Sequence, residues 1–151
     1  MGVPSRRYEP PVSFEDFNRE LIKDLRAHGG KATSGPFQGR DVLILTTKGA
    51  KSGQLRENPL AYTRDGDNLV VVGSKGGAPS HPAWFHNLVT HPEVMVEAGG
   101  ESFQARAHVP QGGEYERLYK QHADILPTFH EYRRRTSRQI PVVVLERVKS
   151  S

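Results

Sequence analysis

The sequence predicts a small, mainly antiparallel β-barrel decorated with helices, and three observations carry that expectation. Apolar runs of strand length recur about six times along the chain. Two pairs of runs are joined by Asp65-Gly66 and Gly99-Gly100, residue types that take the positive φ angles of tight hairpins. Helical patterns do not alternate one for one with the strands, so the repeated strand–helix–strand unit of a Rossmann sheet is absent. Six short strands would leave two bare edges, and closing the sheet on itself removes them.

Each element has its own local reason. Residues 13–27 read as a helix, because Phe14, Phe17, Leu21 and Leu25 recur at three- and four-residue spacing with Ile22 beside them. Ser13 caps its start, with Asp16 three residues on as a variant capping box, and Gly29-Gly30 ends it. Residues 41–47 hold the continuous run Val42-Leu43-Ile44-Leu45 of a buried strand. Residues 55–63 read as a second strand that Pro59 confines to an edge or a bulge. Asp65-Gly66 turns the chain into a strand over 69–74. Residues 80–90 read as a helix with Pro82 in its first turn. Strands over 92–98 and 101–109 flank Gly99-Gly100; Val94 and Val96 share a face of the first. Helices over 113–123 and 127–135 precede a last strand over 140–148. Residues 1–12 read as a tail and 13–151 as one domain, as 151 residues allow.

Composition narrows the function classes. Lys and Arg number 21 against 17 Asp and Glu, a net charge of +4, mild enough that placement matters more than the sum. The absence of Cys excludes disulfides, thiolate metal sites and a Cys nucleophile. None of the seven His stands in a metal-binding spacing. The basic residues gather at turns without interleaved aromatics, which argues against nucleic acid. Apolar runs fall far short of the roughly 20 residues that span a bilayer, and the first eleven residues lack a secretory apolar core. A cytoplasmic location is expected. The two Phe near the start of the first helix leave room for a peripheral membrane contact, against the plainer reading of a helix packed on the body.

Four segments can carry chemistry. The loop Thr46-Thr47-Lys48-Gly49-Ala50-Lys51-Ser52-Gly53-Gln54 has glycines that let amides converge, two lysines and several hydroxyls. It is an anion cradle in composition without Walker spacing; the bland alternative is a polar hairpin loop. In Arg56-Glu57-Asn58-Pro59-Leu60, alternation sets Arg56 and Asn58 on one face, able to address a phosphate or a planar imide, or else merely solvated. Gly73-Ser74-Lys75-Gly76-Gly77 permits close backbone approach by a ligand, or is only a tight turn. Trp84, Asn87 and Leu88 share a helix face, either core or an aromatic wall with an amide beside it. The cluster Arg133, Arg134, Arg135 and Arg138 reads as a solvated helix end.

Taken together, Leu45-Thr46-Thr47, Gly49, Lys51-Ser52-Gly53-Gln54, Arg56, Asn58-Pro59-Leu60, Ser74-Lys75-Gly76-Gly77, Pro82 to Leu88 and Ile140-Pro141-Val142-Val143-Val144 resemble the deazaflavin-dependent nitroreductase family of actinobacteria. The resemblance covers about residues 35–147 in the same order. It implies a split β-barrel that binds coenzyme F-420, a deazaflavin with a phosphate and an oligoglutamate tail. It also implies hydride transfer from the reduced coenzyme to quinones, nitroimidazoles or other conjugated acceptors. On that basis Lys48, Lys51, Ser52, Gly53, Arg56, Asn58, Pro59, Ser74, Lys75, Gly76, Gly77, Trp84 and Asn87 are expected coenzyme contacts. Ser74 and Tyr132 are the expected donors to the acceptor. Family members that reduce nitroimidazoles carry several pocket tyrosines. Here Tyr132 remains, while Leu126, Phe129 and Ala61 stand in place of the others, which favours a hydrophobic quinone-like acceptor. The alternatives are an FMN-binding split-barrel reductase and a non-catalytic deazaflavin or lipid carrier. A monomer or a homodimer is expected.

Overall fold

The structure, a computed structural model, describes residues 13–148; the expected tail over 1–12 lies outside them. Helix α1 (Phe14–Ala27) begins where Ser13 Oγ accepts from the Asp16 amide at 3.1 Å, and ends where Gly30 N–H returns to Leu25 O at 2.8 Å. Seven strands follow: β1 (Val42–Lys48), β2 (Leu55–Ala61), β3 (Thr63–Asp65), β4 (Asn68–Val72), β5 (Glu93–Ala98), β6 (Glu101–His108) and β7 (Val142–Arg147). Helix α2 (Ala83–Thr90) lies between β4 and β5, and α3 (Gly112–Ile125) and α4 (Thr128–Arg135) lie between β6 and β7.

The strands form one antiparallel sheet in the order β2-β1-β5-β6-β7-β4-β3. Its two margins, β2 and β3, are consecutive in the chain with Tyr62 alone between them. Laid flat, seven strands would hold those margins about 29 Å apart at about 4.8 Å per gap. Two peptide steps span at most about 7 Å, so the sheet must curl into a split barrel. This closure explains why the expected strand over 55–63 becomes two, giving seven strands where six are read from the sequence. At the corner Tyr62 turns into the barrel, while Thr63, equally buried, faces the opposite way toward His122 of α3.

Burial follows from the layers. Leu43, Leu45, Leu69, Val71, Val143 and Leu145 fill the interior together with Trp84 and Leu88 of α2. The alternate residues Val42 and Ile44 lie under Leu21, Ile22 and Leu25 of α1. Val70, Val72, Val142 and Val144 lie under Tyr115, Leu118, Tyr119 and Ala123 of α3. Strands covered on both faces need apolar residues at every position, hence the continuous runs in β1, β4 and β7. The apolar stripe of α1 is thus turned onto the sheet, with Phe17 against Phe37, so the lipid-facing role considered for this helix finds no support here. Arg26 at its end pairs with both Glu57 of β2 and Glu97 of β5. Among the described residues no helix is long and apolar enough to cross a membrane.

Candidate functional site

Topology brings the two glycine-rich segments to one mouth. Through the antiparallel pairs β1–β5, β5–β6, β6–β7 and β7–β4, strands β1 and β4 run the same way. The loop after β1 and the turn after β4 therefore leave the barrel at the same end. Helix α2 plugs that end from within, and its buried Asn87 is bound on both sides. Asn87 Nδ2 donates to Thr47 Oγ1 at 3.1 Å, and its Oδ1 accepts from the Ala50 amide at 3.0 Å. At the other end of α2, Pro82 lies against Gly73: a Cβ added there would stand 3.5 Å from the Pro82 ring and 3.0 Å from that of Pro141. Pro82 and Asn87 are ~8 Å apart along the axis at 1.5 Å per residue. The helix is a strut that fixes the spacing of the two loops.

The β1–β2 loop is a closed turn, with Gly49 N–H donating to Gln54 O at 2.8 Å and Gly53 N–H to Gly49 O at 3.0 Å. Gly49 is closely packed: a Cβ there would stand 2.6 Å from Ser52 Oγ and 3.2 Å from Gln54 O, so Ser52 would have to turn away. Lys48, Lys51 and Ser52 are exposed around it. On β2, Arg56 and Asn58 pair with Thr47 and Leu45, which face inward, so both sit on the inner face of this margin; Glu57 points the other way to Arg26. Pro59 occupies the edge strand, where its missing N–H costs no ladder bond.

After β4 the chain leaves the sheet at Gly73 and makes a 3-10 turn over Lys75–Gly77. Lys75 takes φ 47°, the left-handed region disfavoured for any residue with a Cβ, and Gly76 and Gly77 follow at 64° and 83°. Ser74 is buried at the turn's start, while Lys75 is exposed and donates to Ser80 Oγ at 3.3 Å. Helix α4 lies on this turn, the Tyr132 carbonyl 3.1 Å from where a Gly77 Cβ would be. The rings of Phe129 and Tyr132 meet edge to face at 5.3 Å and pack on the cluster beneath α3, with Leu126 half-buried at the α3 C-terminus.

Of the residues expected to touch coenzyme, Lys48, Lys51, Ser52, Gly53, Arg56, Asn58, Ser74, Lys75, Gly76 and Gly77 are gathered at or beside the mouth, whereas Pro59 pairs with Ile44 and lies on the outer face of β2 with Glu57. Trp84 and Asn87 lie beneath it instead. Trp84, 5% exposed, belongs to the interior cluster, and Asn87 spends its amide on the loop. Ala61 pairs with Val42 at the end of β2 and stands two residues before Thr63, whose hydroxyl meets His122 beside the Phe129 ring. The arginine cluster is a solvated helix end only in part: Arg134 and Arg135 are exposed at the end of α4, while Arg133 and Arg138 are engaged. Arg133 lies 4.5 Å from the centre of the Tyr119 ring and donates to Glu116 at 2.9 Å. Arg138 donates to Gly73 O, Ser74 O and Ala78 O at the turn, and no local pattern in the sequence signals that role.

The electrostatics suit an anion. Among the described residues Lys48, Lys51, Arg56 and Lys75 form no ion pair; Lys23, Lys31, Arg40, Arg64, Arg106, Arg134 and Arg138 form none either, so what distinguishes the four is that they gather on the two loops of one mouth. Two clefts beside α1, of about 50 and 110 Å³, share no residue with the mouth. No group of three or more His, Asp or Glu able to hold a metal occurs among the described residues.

Fold and site together define a split-barrel oxidoreductase that works with a bound anionic coenzyme. More particularly, the chain belongs to the F420H(2)-dependent quinone reductase family, whose pattern matches residues 17–147. It is 43% identical over 108 residues to an F420H(2)-dependent quinone reductase of Mycobacterium tuberculosis, covering 70% of this chain and 72% of that one. Among solved structures it resembles F420-H2 dependent reductase FDR-A, at 36% identity and a TM-score of 0.65, over 70% of this chain and 93% of that one. A chain solved as a domain-swapped dimer matches at 32% identity and a TM-score of 0.68, over 89% of this chain and all of that one.

Proposed function

We propose that this chain binds coenzyme F-420 across the mouth between the Lys48–Gln54 loop and the Ser74–Gly77 turn, and there transfers a hydride to a hydrophobic, quinone-like acceptor. The observation that carries the reading is the pair of glycine-shaped loops at one end of the barrel, ringed by four cations without carboxylate partners among the described residues. That donor set fits a coenzyme with a phosphate and an oligoglutamate tail. Lys48, Lys51 and Arg56 take the anionic part, with Ser52 and Gly53 shaping the loop. Asn58 on the inner margin, and the backbone from Ser74 to Gly77, border its planar ring, with Pro59 shaping the strand from its outer face. Trp84 and Asn87 support this surface from below. The deazaflavin supplies a two-electron hydride when bound; the protein contributes proximity, orientation and a donor for charge that develops on the acceptor. Tyr132 and Ser74 are the donors, and Leu126 and Phe129 make the acceptor wall apolar.

Titration with F-420, FMN and NADPH followed by an acceptor screen tests the reading. Micromolar or tighter F-420 binding with clearly weaker FMN binding supports it; equal FMN affinity makes the chain a flavin barrel, and binding without turnover makes it a carrier. Lys51→Ala and Arg56→Ala are each expected to weaken F-420 binding by about 1.5–3 kcal/mol, more at low salt than at high salt. Parental affinity in both variants would leave these side chains merely solvated.

Acceptor choice gives a second expected result. An apolar wall favours burial of a quinone at roughly 25 cal/mol per Å², while an unpaired nitro oxygen costs about 1–3 kcal/mol. Menadione turnover is expected to exceed that of bicyclic nitroimidazoles by at least about tenfold, the factor that 1.4 kcal/mol supplies. Tyr132→Phe is expected to lower kcat/KM for the quinone with little change in F-420 affinity. Steady-state rates with reduced coenzyme decide both points, and equal rates for the two acceptors would remove this wall from substrate choice.

A further inference from the structure

We propose that Arg138, outside every recognised motif, is the positioning residue of the coenzyme-binding turn, held in place by a neutral His81, and that together they set coenzyme affinity without touching coenzyme. This rests on reading Ser74–Gly77 as a coenzyme contact.

The guanidinium has all three nitrogens engaged. Nε donates to Ala78 O at 2.8 Å, Nη2 to Ser74 O at 2.7 Å and Gly73 O at 3.1 Å, and Nη1 to His81 Nδ1 at 2.8 Å. The three carbonyls bracket the left-handed stretch Lys75-Gly76-Gly77 on both sides. A strained segment persists only where its surroundings over-determine it, and here one planar fork grips both ends. The same grip aims the amides. In a trans peptide N–H and C=O point in opposite directions. With the Gly73 and Ser74 carbonyls drawn to Arg138, the Ser74 and Lys75 N–H groups point away from the guanidinium. Neither has a partner among the described residues. Two successive donors fixed in one direction are a receptor for carbonyl or phosphate oxygen.

His81 is bound to one protonation state by its partner. An arginine has no acceptor, so His81 Nδ1 must present a lone pair and the ring is the neutral Nε2–H form. Protonation would set N–H against N–H and release one prong of the fork. Burial, then Arg138, then His86 hold the imidazole pKa below its ordinary value. The charged and titratable groups that act on the pair are His86 on α2 and Tyr115 and Tyr119 on α3, while Lys75 turns to Ser80 and Arg135 of α4 lies against Gly77. Neither Arg138 nor His81 has a carboxylate partner among the described residues. Acidification is therefore expected to weaken coenzyme binding as His81 takes its proton below its ordinary pH range.

Fluorescence titration of the purified protein with F-420, together with steady-state rates for reduced F-420 and menadione, tests this. Arg138→Lys keeps the charge but not the fork. It is expected to raise Kd and KM for the coenzyme about tenfold, with kcat within about twofold. A merely structural loss would lower kcat through the folded fraction and leave KM alone, and that result overturns the proposal. His81→Asn, whose amide oxygen accepts without titrating, is expected to flatten the rise in Kd that the parent shows on acidification below the ordinary histidine range; an unchanged acid limb removes His81 from the device. Gly76→Asp separates the two levels, because a Cβ there meets nothing within 4 Å, Asp is among the residues that tolerate positive φ best, and the change places a carboxylate on the turn. Weakened coenzyme binding in Gly76→Asp with parental binding in Arg138→Lys overturns the role of Arg138 alone. Parental binding in Gly76→Asp overturns the coenzyme reading of the turn, and this proposal with it.

Discussion

Gly77→Ala is expected to unseat helix α4 and remove most of the quinone reductase activity. A Cβ at Gly77 would stand 2.9 Å from Arg135 Cβ and 3.1 Å from the Tyr132 carbonyl oxygen, and its φ of 83° is strained for any residue with a side chain. Neither neighbour is the free end of a flexible chain, so the helix must move as a body. Left-handed backbone costs about 1–2 kcal/mol for such a residue, and overpacking adds about 1–3 kcal/mol. The expected loss is therefore about 2–5 kcal/mol of stability, with a drop in quinone rate beyond about tenfold, since Tyr132 moves with α4. The neighbouring Gly76 supplies the contrast. Its φ of 64° is also positive, but a Cβ there meets nothing within 4 Å, so Gly76→Ala carries the backbone cost alone. Urea unfolding and menadione turnover of the two variants distinguish contact from conformation. Equal losses in both would show that α4 does not rest on Gly77.

The contrast between these glycines also shows what local sequence conveys. That residues 73–77 turn tightly follows from composition, because glycine alone takes positive φ without penalty. That one of the glycines is pinned beneath a helix more than fifty residues further along does not. The same division runs through the molecule. The apolar runs of β1, β4 and β7, the Asp65-Gly66 and Gly99-Gly100 hairpins, the Ser13 cap and the edge position of Pro59 are legible because each is decided by a few adjacent residues. The corner at Tyr62 is not, since it exists only because the sheet margins meet. Arg138 is the sharpest case: its partner Gly73 is 65 residues away, and in sequence it stands near three other arginines with different duties. Helix spacing singles out Asn87, yet spacing does not say whether its amide faces a ligand or the loop that shapes the ligand's site.

Acid is expected to destabilise the fold before its carboxylates titrate, because of His122. This side chain is fully buried between α3 and β3, with Nδ1 2.7 Å from Thr63 Oγ1, the Phe129 ring edge to face at 4.5 Å, and Nε2 without a partner among the described residues. Burial pushes its pKa down to about 4 from an ordinary 6.5. The unfolded chain therefore binds this proton first as pH falls. Stability is complete above about pH 6.5, declines between about pH 6.5 and about pH 4, and loses nothing further from this group once the folded form is also protonated. The size of the effect is about 3 kcal/mol, a substantial part of the 5–15 kcal/mol typical of a domain. Glu97, held below its ordinary range by its hydrogen bond to Arg26, acts in the same direction but at lower pH, so the two contributions separate along the pH axis. Paired replacement His122→Leu with Thr63→Val removes the titrating group and its hydroxyl partner together, leaving no orphaned polar atom. Urea unfolding at stepped pH is expected to show the parent losing about 3 kcal/mol between pH 7 and pH 4 while the double variant stays nearly level over the upper part of that range. Parallel curves for the two proteins would assign the acid sensitivity to other groups, with the exposed carboxylates and His81 the first to examine.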